Sequence, residues 1–308
     1  MKLRFFITAT SWASILAAAL AGQSVVQRTP DGHPDLQGIW DYGTITPLER
    51  PKELGAKQFY TASEAEEFER GASDRDFKKL PADEQTVNAD LVGDLATGDR
   101  GHLDAGRRTS LIISPVDGRI PFIPEVQARR EARRNAVQEP PDGPEALRPS
   151  DRCLHIDGPP LTPTLYNNII QIVQTADYLL LDTEMIHDAR VVPLDGRHLP
   201  QTIRQWDGDS RGRWDRDTLV IDTTNFTNKT RFAASTDALQ VVERLTRIDA
   251  RSLLYEFSIE DPGAFTRPWS GAFTMRKSDA LMYEFACHEG NYSLVGMLRG
   301  ARAEEKGK

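Results

Sequence analysis

Residues 184–200 read EMIHDARVVPLDGRHLP and gather Glu184, His187, Asp188 and Arg190 into one short stretch. Imidazole titrates near neutrality and a neighbouring carboxylate can orient it, so this set has the makings of general acid/base chemistry. If residues 178–192 formed one regular strand, alternation would place His187 with Leu179, Leu181, Met185, Ala189 and Val191. Glu184, Asp188 and Arg190 would share the opposite face. A core histidine bonded to a backbone carbonyl explains the same pattern without any reaction, and geometry alone separates the two.

Two more stretches carry candidate chemistry. In Arg204-Gln205-Trp206 the guanidinium could pair with a carboxylate in bidentate fashion while the indole stacks on a ring. Arg190 and Tyr292 are further candidates for contact with such a ligand. The following residues, 207–213, read as a hairpin loop opened by Asp207-Gly208, and turn chemistry accounts for Asp207, Asp209, Arg211 and Arg213 without a function. In the third stretch, YEFACHEGNY, His288 shares a strand face with Glu284 while Cys287 faces the other way. A divalent metal such as zinc is the alternative to cofactor-free catalysis. Its ligands would be His187, His288 and a carboxylate, Glu289 or else Glu184 or Asp188. No HExxH or H-x-H spacing supports that set, and no G-x-S-x-G elbow supports a serine triad.

These residues need elements to hold them. From about residue 165 the pattern has period two, in short runs separated by turns: NNIIQIVQT, ADYLLLDTEM, ARVVP, QTIRQW, DTLVIDTTNF, QVVERLTRI, SLLYEFSIE, SGAFTMRK and ALMYEFACHE. In LLYEFSIE, Leu253, Tyr255, Phe257 and Ile259 share one face. Residues 153–308 therefore predict an antiparallel β domain, a lipocalin-like barrel or strongly curved sheet, with a β-sandwich as runner-up. Residues 22–152 are more irregular and predict a wrapping segment. Gly38-Ile39-Trp40 looks like a strand start and Ser110–Ser114 like a short buried strand. Thr61-Ala-Ser-Glu64 is a capping box opening a helix over 61–71, and Pro124 opens another over 124–137.

The first residues carry Lys2 and Arg4, then an apolar run from Ile7 to Leu20 that ends in Ala19-Leu20-Ala21. This is the build of an export signal over 1–21, cleaved after Ala21, and implies a periplasmic or secreted protein. Removing it takes the formal charge from −8 to −10. An acidic chain without a basic footprint is a poor partner for nucleic acid, and no later apolar run is long enough to insert in a membrane. Two cysteines remain, Cys153 and Cys287. In an oxidising compartment they predict a disulfide, with two buried thiols as the alternative.

Four stretches, TPDGHPDLQGIW, EMIHDARVVPLDGR, GDSRGRWDRDTLVIDTTNF and YEFACHEGNYSL, together resemble a widespread family of secreted, functionally uncharacterised bacterial proteins. The resemblance implies an exported, β-rich protein and brings no catalytic residue with it. From the residues themselves the expected activity is that of a cofactor-independent lyase or isomerase, of decarboxylation or elimination type. It would act on a small aromatic or carboxylate-bearing molecule, with His187 as acid/base, His288 assisting, and Glu184 or Asp188 orienting an imidazole. A periplasmic carrier of small molecules and a metal-dependent hydrolase are the alternatives. Oligomeric state has no sequence signal.

Overall fold

A computed structural model describes residues 26–79, 102–104, 106–135, 140–155, 158–164, 166–229 and 232–307. The export-signal reading over 1–21 lies outside them. Among these described residues there are ten strands: β1 (Gly38–Asp41), β2 (Ile112–Ser114), β3 (Ile169–Gln174), β4 (Tyr178–Thr183) and β5 (Ala189–Pro193), then β6 (Asp209–Asp215), β7 (Thr218–Thr224), β8 (Gln240–Arg247), β9 (Ser252–Glu260) and β10 (Trp269–Lys277). Among the described residues three α-helices accompany them: α1 (Ala62–Lys79), α2 (Pro124–Asn135) and α3 (Tyr292–Gly307).

Nine strands form one antiparallel sheet in the order β5-β4-β3-β1-β10-β9-β8-β7-β6, and β2 pairs with β10 beside this path. The sheet curls until its two edges nearly meet. Leu194 bridges Gly212, and the Asp195 N–H donates to the Gly212 carbonyl at 2.8 Å. A Cβ on Gly212 would lie 2.6 Å from the Leu194 side chain, so glycine is what lets this seam draw together. The mainly-β barrel expectation holds, and the sandwich alternative falls because the strands belong to a single sheet.

Alternation fills the barrel. Leu253, Tyr255, Phe257 and Ile259 of β9 all point inward and are at most 2 % exposed, as the LLYEFSIE pattern predicts. Trp40, Trp269 and Phe273 join them, with Tyr255 and Phe273 ring centres 4.9 Å apart. Burying each such side chain contributes about 1.5–3 kcal/mol, which makes this aromatic cluster the main hold on the sheet.

The irregular N-terminal segment does more than wrap. It supplies β1, which is seated between β3 and β10. The capping box forms as read: Thr61 N–H donates to Glu64 Oε2 at 2.8 Å, and Glu64 N–H donates to Thr61 Oγ1 at 3.3 Å. α1 continues past Gly71 to Lys79, and α2 starts at Pro124.

Two expected strands are absent. QTIRQW is a run of turns, and ALMYEFACHE is irregular chain leading into α3. The second failure has a topological reason: β10 already pairs with β9, β1 and β2, so it offers the tail no edge. Leu281 and Tyr283 accordingly stay about 70 % exposed.

Candidate functional site

One end of the barrel gathers the C-terminal ends of β1 and β4 and the first residues of β5 and β6. A pocket of about 600 Å³, open mouth included, lies there. Leu161, Leu181 and Met185 give it apolar wall; Thr162, Thr164 and Thr183 give it hydroxyls. Its charged lining is His155, Asp188, Arg190 and Asp207.

Each charged group arrives from a different local structure. Cys153, bonded to Cys287 with Cα atoms 5.7 Å apart, ends a short 3-10 turn with positive φ, and His155 follows two residues later. The bridge thus fixes the segment that presents the imidazole. Nε2 of His288 lies 2.8 Å from the Cys153 carbonyl, and the Asn291 amide donates to the Asp151 carbonyl at 3.0 Å, reinforcing the same joint. Asp188 follows the tight turn between β4 and β5, where Ile186 and His187 both have positive φ. Asp207 precedes Gly208, whose φ is +68° and where a Cβ would sit 2.6 Å from the Thr224 carbonyl oxygen. Only glycine fits that approach, and it aims Asp207 into the pocket.

His155, 7 % exposed, has Nδ1 3.0 Å from Asp188 Oδ2 and 3.5 Å from Asp207 Oδ1. Burial pushes the Asp207 carboxyl above its ordinary range; His155 works against this and Asp188 adds to it. Behind the cluster, Arg190 pairs with fully buried Glu243 through two nitrogens. Burial opposes the guanidinium's charge, but the Glu243 carboxylate outweighs it and holds the proton more tightly than usual. The Tyr255 hydroxyl donates to Glu243 Oε1 at 2.6 Å and accepts from the Leu161 N–H at 2.9 Å. Burial, then Glu243, raises its pKa well above that of free tyrosine. This chain of bonds ties the barrel interior to the segment roofing the pocket.

The candidate residues divide sharply. Asp188 and Arg190 line the pocket. His187 does not: it is exposed on the turn, because residues 178–192 form a hairpin, not one regular strand. The turn resets which face points inward, so Arg190, paired with Leu181, enters the barrel with Val192. Glu184 is buried outside the pocket lining, and burial raises its pKa while the Tyr283 N–H, 3.4 Å away, pulls it back. His288 and Glu289 are exposed on the tail, and Tyr292 is 83 % exposed at the start of α3.

Arg204 and Trp206 share no strand. Arg204 donates to the carbonyls of Phe226 (3.0 Å) and Asp237 (2.6 Å), which makes it a clamp between loops. Trp206 lies in an outer groove along the β5–β6 seam, its ring 6.1 Å from that of His155. Arg190 and Asp207 line that groove as well as the pocket. The expected His187–His288–Glu289 metal set does not assemble. Among the described residues, the group with suitable ligand atoms mutually within 4.8 Å is His155, Asp188 and Asp207.

Sequence reasoning missed His155, Glu243 and Tyr255 and discounted Asp207. Glu243 had a usable signal: it occupies an inward position of QVVERLTR between Val241 and Leu245. His155 had a weaker one, its closeness to Cys153. Fold and site together define the class: a nearly closed antiparallel barrel with a polar, imidazole-containing pocket at one end. Comparison with family models, curated proteins and solved structures found no match.

Proposed function

We propose that the protein is an exported enzyme of lyase or isomerase type that binds a small molecule in the barrel pocket. Proton transfer falls to the cluster of His155, Asp188 and Asp207. One observation carries this reading: a buried imidazole has two carboxylates at its Nδ1, at the wall of a pocket whose remaining lining, Arg190 apart, is mainly apolar and hydroxyl-bearing. A carboxylate that orients an imidazole, with a second within reach, is the arrangement acid/base catalysis requires. The Arg190–Glu243–Tyr255 chain behind it supports the site as rigid backing.

The roles given above to His187 and His288 pass to His155. Arg190 and Arg204 are both engaged by protein acceptors, so substrate recognition rests on the apolar wall and the cluster instead. Export is supported by the Lys2–Ala21 leader and by the Cys153–Cys287 bridge, which fits an oxidising compartment.

The test is a turnover screen of small aromatic and carboxylate-bearing compounds with wild type, Asp207→Asn and His187→Ala. Conversion lost in Asp207→Asn and kept in His187→Ala is the expected result. Binding of the same compounds without conversion by any form would overturn the enzyme reading in favour of a carrier.

A further inference from the structure

We infer that His155, Asp188 and Asp207 form a binding site for a divalent first-row metal ion, with its open coordination positions facing the barrel pocket. The inference rests on the pocket reading above and deepens it by naming a cofactor.

The geometry is close to what such an ion needs. Metal–ligand bonds of about 2.0–2.2 Å put neighbouring ligands of an octahedral ion roughly 3 Å apart. Nδ1 of His155 is 3.0 Å from Asp188 Oδ2 and 3.5 Å from Asp207 Oδ1, and all three ligand atoms lie mutually within 4.8 Å. Small side-chain adjustments would place them on one face of a coordination sphere. The remaining face would open to water and substrate in the pocket, as in sites with one occupied triad and free positions.

The ligand types narrow the ion. One imidazole and two carboxylates suit zinc, manganese or iron(II), whereas calcium and magnesium take oxygen ligands. Charge points the same way. Two carboxylates converge on the imidazole, and the guanidinium behind them is matched by Glu243. A dication would balance the pair and supply the positive centre that Arg190 and Arg204, both engaged, do not offer a substrate oxygen. It would also acidify a bound water towards neutrality, so that this water becomes the proton-transferring group on the same three residues.

The site is mechanically supported. His155 is held by the Cys153 bridge two residues away, and Asp207 by the backbone that Gly208 permits. Rigid presentation of ligands from three separate segments is what selective metal binding requires.

The experiment uses the full mature chain, stripped with a chelator and dialysed against zinc or manganese chloride, with metal content measured by mass spectrometry. Wild type is expected to take up one equivalent. Asp188→Asn, Asp207→Asn and His155→Gln are expected to lose affinity by more than the roughly 10–100-fold that follows loss of an outer-shell partner. A His187→Ala variant is expected to bind like wild type, because that ring is exposed on the turn outside the pocket. Anomalous diffraction from a metal-soaked wild-type crystal, with a peak bonded to His155 Nδ1, supports the site independently of any variant's folding. Less than stoichiometric uptake by wild type, or a peak elsewhere, overturns it. Turnover by a chelator-stripped enzyme would overturn the metal's role and leave the acid/base reading standing. One bound equivalent with no turnover of any screened compound would leave the site and remove that reading.

Discussion

Arg190 and Glu243 meet inside the barrel as a two-point ion pair, Nη2 to Oε1 at 2.8 Å, with Glu243 fully buried. Removing one partner strands the other charge in the interior. Glu243→Leu should therefore destabilise the fold by about 3–5 kcal/mol, and Arg190→Met with Glu243→Leu should recover most of that loss. Urea unfolding of the two variants checks this. A single-variant loss near the roughly 0–1 kcal/mol of a surface pair would contradict the burial argument.

The site assignment predicts a division among histidines. His155→Gln should lower turnover by about 10²–10⁴-fold, the usual weight of a positioned acid/base group. His187→Ala should retain most of it, because its ring is exposed on the turn outside the pocket lining. Steady-state kinetics on one converted compound decides the matter, and equal loss in His187→Ala would return the role to the turn.

Gly208 is a second point of sensitivity. With φ at +68° and the Thr224 carbonyl where a Cβ would go, Gly208→Ala should cost at least about 1–3 kcal/mol. It should also displace Asp207, so turnover should fall further than the melting temperature alone accounts for. A variant that melts and turns over like wild type would show the position is not constrained.

The Cys153–Cys287 bridge spans 134 residues of chain. By chain entropy it is worth roughly 4–5 kcal/mol. The double serine variant should lose stability of that order, and hydrogen exchange should quicken at residues 150–155 and 283–291. Unchanged protection in those segments would mean the bridge does not hold the His155 segment.

Glu184 gives a pH signature. Burial raises its pKa in the folded state above the ordinary 4.5. The folded form therefore binds the proton more tightly, and the stability this contributes is complete below pH 4.5 and lost as pH rises through the folded value. Glu184→Gln keeps an acceptor for the Tyr283 N–H and removes the charge. It should be more stable than wild type at pH 7 and equal to it near pH 4, as read from thermal melts across that range.

How far the sequence reached depended on the kind of information each feature needed. The β9 run Leu253–Ile259 was legible because alternation is local, and one buried face imposes it residue by residue. The same rule failed at His187. A turn lies between β4 and β5, and a turn resets parity for everything after it. The tail over 280–289 has strand-like composition but no edge to join, and edges belong to the whole sheet.

By itself, then, the sequence indicated an antiparallel β domain, the helix starts at Ala62 and Pro124, and a Cys153–Cys287 disulfide as the favoured of two cysteine states. Each follows from short-range pattern or from arithmetic on residue types. The tertiary structure alone decided barrel over sandwich, that Asp188 and Arg190 line the pocket, that His155 meets both Asp188 and Asp207, and that Glu243 neutralises Arg190. The contacting pairs lie 33, 52 and 53 positions apart, for His155–Asp188, His155–Asp207 and Arg190–Glu243. Only closure of the sheet brings such distant positions within bonding distance.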